Sequence, residues 1–157
     1  MGSWAEEQAS LIKSADRKAE GELRERIHLG EILRRDSKPF FDQTGQYVMR
    51  YVKEFCEALN VPTALRCSCH ENLIQVDKES FPNRLSLTLT YCSVPVQVAS
   101  VLTEVQSLHS GMEERREGIY RFGIDRDGQI CLQSMDPDGF ARAVLQNVFD
   151  AFKSHTS

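Results

Sequence analysis

The densest group of potentially reactive side chains is Cys67-Ser68-Cys69-His70. Thiolates and imidazole are good zinc ligands, but structural zinc sites usually leave two to four residues between paired cysteines, so that the turn can chelate. In an extended segment Cys67 and Cys69 point to one face and His70 to the other. Three ligands cannot converge there without a bend, and a metal would need Cys56, Cys92 or Cys131 brought in by folding. The expectation is therefore two buried cysteines and a surface histidine, with no metal and no cofactor. With no export signal, the five cysteines read as reduced, small hydrophobic residues rather than a disulfide framework.

Other clusters point to chemistry less strongly. Asp125-Arg126-Asp127-Gly128 has too few acids for a calcium loop, and no bidentate Glu follows at the proper distance. The histidines His28, His70, His109 and His155 sit in no recognisable nucleophile context. His109 lies near Glu113 and Glu114, but a loop this rich in charge is usually solvated. There is neither a Walker-type run nor a dinucleotide fingerprint to cradle phosphate. Arg34-Arg35 with Lys38, and Arg115-Arg116, are each flanked by acids that cancel most of their field. With a net charge of −4, this argues against nucleic acid as a partner.

The elements that must carry these groups can be read from periodicity. Leu85, Leu87, Leu89 and Tyr91 alternate without a break against Arg84, Ser86, Thr88 and Thr90. That is a strand with one buried and one wet face. Residues 4–35 read as one long helix, dense in Ala, Glu, Arg, Lys and Leu, with a thin stripe at Ile12, Ala15, Ala19, Leu23, Ile27 and Leu33. A helix of that span is roughly 48 Å long at 1.5 Å per residue. Asp36-Ser37-Lys38-Pro39 predicts a break and a fresh helix start, with Asp or Ser as cap. The second helix then shows Phe41, Thr44, Val48, Val52, Phe55 and Leu59 on one face, widened by Tyr47, Tyr51 and Ala58. It ends at Asn60, before Val61-Pro62.

Beyond it, Leu65, Cys67 and Cys69 alternate, and a tight reversal leads into residues 73–76. Residues 78–83, with Pro82, read as a loop. The stretch 93–108 fits both periods; its valines favour a strand at 95–102, extended by a bulge. Residues 109–118 read as an exposed loop. Asp-Gly between residues 119–124 and 129–133 predicts a hairpin, with Tyr120, Phe122 and Ile124 on one face and Ile130 and Leu132 answering across. Asp136-Pro137-Asp138 opens a last helix with Phe140, Ala143, Val144, Val148, Ala151 and Phe152 on its apolar face.

Together these predict an α+β fold: a long N-terminal helix, a second helix, an antiparallel meander of about five to six strands, and a C-terminal helix packed on one sheet face. The chain divides into a charged helical arm, residues 1–36, and an α+β domain, residues 37–157. Apolar content of 41% and charged content of 27% support a globular core. No apolar run approaches bilayer length and the first residues lack the core of a signal peptide, so a cytoplasmic protein without membrane contact is expected. The arm's stripe is too thin to be buried by the domain alone. A non-enzymatic interaction or adaptor module follows, in which Trp4, Ile12, Ala19, Leu23 and Ile27 serve a protein partner or self-association. The alternative is a small-molecule pocket, possibly enzymatic, between sheet and helices, where Tyr47, Tyr51, Tyr91 and Tyr120 would supply polar tips.

Overall fold

The computed structural model describes residues 3–80, 83–105 and 113–156, apart from the side chains of 79, 80, 83 and 154–156. Its first element is one continuous helix, α1 (Trp4–Leu59), of 56 residues. At 1.5 Å per residue it is roughly 84 Å long. Ser3 caps it: the Ser3 hydroxyl accepts from the Glu6 N–H, and the Glu6 carboxylate accepts from the Ser3 N–H. Asn60, at φ 56° and ψ 28°, closes the far end as its sequence context predicts.

The predicted break at Asp36-Ser37-Lys38-Pro39 does not occur, so there is no separate second helix. Neither expected cap acts as one. The Asp36 carboxylate is held by Arg35, and the Ser37 hydroxyl lies in the core, 2.7 Å from Tyr91 Oη. Pro39 lacks the N–H that would reach the Arg35 carbonyl, but both residues are exposed and water can satisfy that oxygen. Burial of Phe40 and Phe41 directly after the proline anchors the next turn. These tertiary contacts offset a local penalty of about 3 kcal/mol.

Among the described residues six strands follow: β1 (Arg66–His70), β2 (Leu73–Ser80), β3 (Asn83–Ser93), β4 (Val96–Val105), β5 (Glu113–Ile124) and β6 (Ile130–Leu132). Each pairs antiparallel with the next, in the order β1-β2-β3-β4-β5-β6. The meander read from the sequence is therefore present, and β4 settles the ambiguous stretch as strand, without a bulge in its pairing from Arg84↔Val105 to Ser93↔Val96. Two expected loops are largely strand. Lys78 to Ser80 belong to β2 and Asn83 to β3, while Phe81 and Pro82 lie outside the described residues. Residues 106–112, His109 among them, also lie outside; Glu113 to Gly118 pair with β4. Their charge misled: all five residues 113–117 are exposed, and the ladder to β4 carries them.

The register places Ile74, Val76, Leu85, Leu87, Leu89, Tyr91, Val98, Leu102 and Phe122 on one face of the sheet, all buried. The last helix, α2 (Pro137–Thr156), starts where expected, with Asp136 Oδ1 accepting from the Gly139 N–H at 2.6 Å. Phe140, Ala141, Val144, Leu145, Val148 and Ala151 join the same core cluster. Two expected helix faces are rotated. Ala143 is exposed and Phe152 only half-buried, with Ala141 and Leu145 turned inward instead. On α1, Leu59 and Ala58 are exposed, and Phe40, Gly45 and Cys56 take the buried side. At Gly45 α1 approaches the sheet closely: a Cβ would stand 3.3 Å from Cys69 Sγ and 3.4 Å from Ile74 Cδ1, so a larger residue would have to displace those side chains slightly. Edge-on rings tie the layers together: Phe40 with Phe122, and Tyr120 with Phe140.

Candidate functional site

From Ser3 to Leu29 every residue of the chain is exposed. This includes all five residues expected to serve a partner: Trp4 (76% exposed), Ile12 (62%), Leu23 (57%), Ile27 (54%) and Ala19. Leu11 and Leu29 are exposed on the same helix and escaped the sequence reading. They lie about a quarter turn off the stripe at 100° per residue, within the helix that the sequence predicts over residues 4–35. Only at Leu33 does the helix begin to pack against the core cluster. A long helix carrying this many apolar side chains in water is unusual unless something covers them.

Among the described residues no group of three His, Cys, Asp or Glu is placed to hold a metal ion. Cys67 and Cys69 share one face of β1, and Cys69 Sγ lies 3.7 Å from the Gly45 carbonyl; contrary to expectation, Cys67 is only half-buried and Cys69 is exposed, because β1 is an edge strand, and His70 is exposed as well. All five cysteines are free thiols. Burial pushes the Cys67 thiol up to about 12, helped by the neighbouring Cys69 and by Asp77. Burial also raises Cys69. A thiol held at that value exposes almost no thiolate at pH 8. Native Cys67 is accordingly expected to alkylate on the order of a thousandfold more slowly than an ordinary thiol of pKa near 8.5. Site-resolved mass spectrometry of iodoacetamide-treated protein reads this directly, and labelling at the ordinary rate would refute that placement.

Among the described residues, the ion pairs lie outside the exposed stretch of α1. Arg35 is paired with Asp36, which raises the arginine and lowers the carboxylate, through their hydrogen bond first. Arg115 pairs with Glu117 at 2.9 Å. Arg116 Nη2 lies 3.2 Å from Glu104 Oε1, and Glu104 is 4% exposed on the inner face of β4. Its place was legible in the alternation Val98, Ser100, Leu102, Glu104 once β4 is a strand. Asp138 accepts from Tyr51 Oη and from Arg142 Nε, and the Tyr51 hydrogen bond is the main reason its carboxyl titrates below the usual range. His28 rides the exposed stretch of α1, and the side chain of His155 lies outside the described residues. Asp125 is a turn residue: its Oδ1 accepts from the N–H groups of Asp127 and Gln129, both at 2.9 Å, and Gly128 takes φ +75°.

The four tyrosines do not converge. Tyr91 is bonded to Ser37, and Tyr47 stacks on Tyr51 with Arg50 against both rings. Tyr51 borders an open groove of about 440 Å³ between α1 and α2, where Phe55 stacks on Phe149. Tyr120 borders a hollow of about 90 Å³ beneath α2, with Ser100, Gly118 and Asn147. Another hollow, of about 450 Å³, lies at the shoulder where α1 meets the body, lined by Pro39, Phe40, Ile130 and Met135 among others. No helix among the described residues is long and apolar enough to cross a membrane. No protein-family model matches the chain, and no curated protein or solved structure does so either.

Proposed function

We propose that this chain is a non-enzymatic interaction module. Residues 1–36 form an arm that docks the α+β body, residues 37–157, onto a protein partner or a second copy, and both helices cover the leucine face of the sheet. The observation that carries this reading is the uninterrupted exposure of residues 3–29, with Trp4, Ile12, Leu23 and Ile27 all more than half exposed. Burial of apolar surface is worth roughly 25 cal/mol per Å², so covering these side chains favours association, against the loss of translational and side-chain freedom that any complex costs. The free thiols support a reducing compartment, and the reading places the module in the cytoplasm. A small-molecule pocket between sheet and helices is supported less well. A hollow of about 410 Å³ between α1 and β1, lined by Met49, Val52, Cys56, Leu65 and Cys67, falls within the roughly 300–1,000 Å³ of ordinary ligand sites, but none of the four tyrosines lines it, and the hollow beneath α2 measures only about 90 Å³.

The test is solution mass by light scattering over a concentration series, for the unsubstituted chain and for Leu23→Glu/Ile27→Glu. Both positions are exposed, so the body's unfolding midpoint is expected to stay put. The unsubstituted chain is expected to rise to at least twice its 17.9 kDa, and the variant to remain at one chain. A variant that associates as tightly as the parent would remove the stripe from the interface. A parent that stays single at its highest soluble concentration would refute self-association.

A further inference from the structure

We propose that the arm's partner is a second copy of this chain, lying antiparallel with Glu22 at the two-fold axis, so that each Trp4 meets the other copy's shoulder hollow at Phe40. This rests on the docking reading above and names its occupant.

The direction follows from where the stripe points. At 3.6 residues per turn, Ile12, Ala19, Leu23 and Gly30 fall in line with Ser37, Phe41, Thr44, Val48 and Val52. The latter are the buried side of α1. The exposed stripe is therefore the uncovered continuation of a face that the sheet and α2 already cover. A parallel, in-register mate docked on that face would bring its own body to the level of residues 37–59, where the first body sits. An antiparallel mate carries its body at the far end, and the seam can close.

The register follows from charge. Glu6, Lys13 and Glu20 recur every seven residues, as do Arg24, Glu31 and Lys38, and the four-residue step from Glu20 to Arg24 keeps both sets on one edge of the stripe. Among the described residues no intrachain ion pair engages Lys13, Glu20, Arg24 or Glu31; Lys38 holds Asp42. Antiparallel pairing about Glu22 sets Glu6 against Lys38, Lys13 against Glu31 and Glu20 against Arg24. All three are opposite in sign, and two-fold symmetry makes each occur twice. On the other edge, which carries Trp4, Leu11 and Leu29, the same register sets Glu22 against its own copy and Lys18 against Arg26, like charges that offset part of this gain. The same register, with nothing further adjusted, puts Trp4 opposite Phe40. There the 76%-exposed indole meets the hollow of about 450 Å³, lined by Pro39, Phe40 and Met135 and also by the polar side chains of Asp36, Asp125 and Asp136. Charge pattern and tip placement thus select one alignment independently.

The experiment uses full-length Lys13→Glu and Glu31→Lys chains, separately and mixed, at low salt. Each variant alone turns both Lys13–Glu31 contacts from attraction to repulsion, and its self-association is expected to weaken about tenfold. In the mixture, a mixed pair of chains regains opposite charges at both contacts. It is expected to associate as tightly as the parent, with one copy of each chain in the complex by native mass spectrometry. These residues stand 18 apart, so no contact within one helix can mimic the rescue. If the parent associates but mixing rescues nothing, the antiparallel register is overturned while the docking reading stands. If the parent itself remains single, the second copy is overturned as the partner.

Discussion

A Leu89→Ala chain is expected to lose about 3 kcal/mol of stability, within the 2–5 kcal/mol spanned by buried leucine truncations. Leu89 is 0% exposed and sits mid-strand in β3, opposite Ile74 on one side and Ser100 on the other. Both flanking strands are hydrogen-bonded to β3, so the backbone cannot collapse into the space that truncation leaves. Ser100 is too small to fill it. Urea unfolding should show a midpoint lowered by roughly 1–2 M with an unchanged slope. Ile119, 58% exposed on β5, provides the control: Ile119→Ala should stay within about 0.5 kcal/mol of the parent. A loss at Leu89 below about 1 kcal/mol would mean that the leucine face is not the core.

That face was the most legible feature of the chain, because a strand buried on one side must alternate, and Leu85 to Tyr91 do so without a gap. The turns at Asp127-Gly128 and Asp136-Pro137, and the stop at Asn60, were legible for a related reason: each depends on chemistry within a few residues. What was misread depends on contacts far along the chain. Pro39 and Ser37 carry strong local signals for a helix start, yet Ser37 is bonded to a tyrosine 54 residues away and the helix runs on. Glu113 to Glu117 look like a solvated loop because strand pairing with β4 leaves no trace in side chains that all face water. The arm lies between these cases. Its stripe could be seen and its exposure could be expected, but its alignment with the buried side of α1 requires the helix to be unbroken, which the proline signal denied.

The Ser37–Tyr91 hydrogen bond supplies the other large effect, and the coupling between the two residues separates long-range control of α1 from a local cap at Ser37. The oxygens are 2.7 Å apart, with Ser37 0% and Tyr91 9% exposed. Ser37→Ala leaves a buried phenol without its partner and should cost about 2 kcal/mol, near the middle of the range for an unsatisfied buried group. Alanine is also the better helix former, by a few tenths of a kcal/mol, so a local account of this segment predicts a gain. Tyr91→Phe should cost less, about 1 kcal/mol, because a helical serine can turn its hydroxyl to the carbonyl of Leu33, four residues back. With both partners removed no orphan remains. The double variant should therefore cost about 1 kcal/mol less than the sum of the single ones, a coupling measurable by a denaturant double-mutant cycle. Had Ser37 served as the cap of a second helix, Tyr91→Phe would leave its role untouched and the two costs would add. Additivity would thus restore the break at Pro39 and detach the arm from the core. Coupling ties the arm rigidly to β3, so that the direction of its stripe is set by the body.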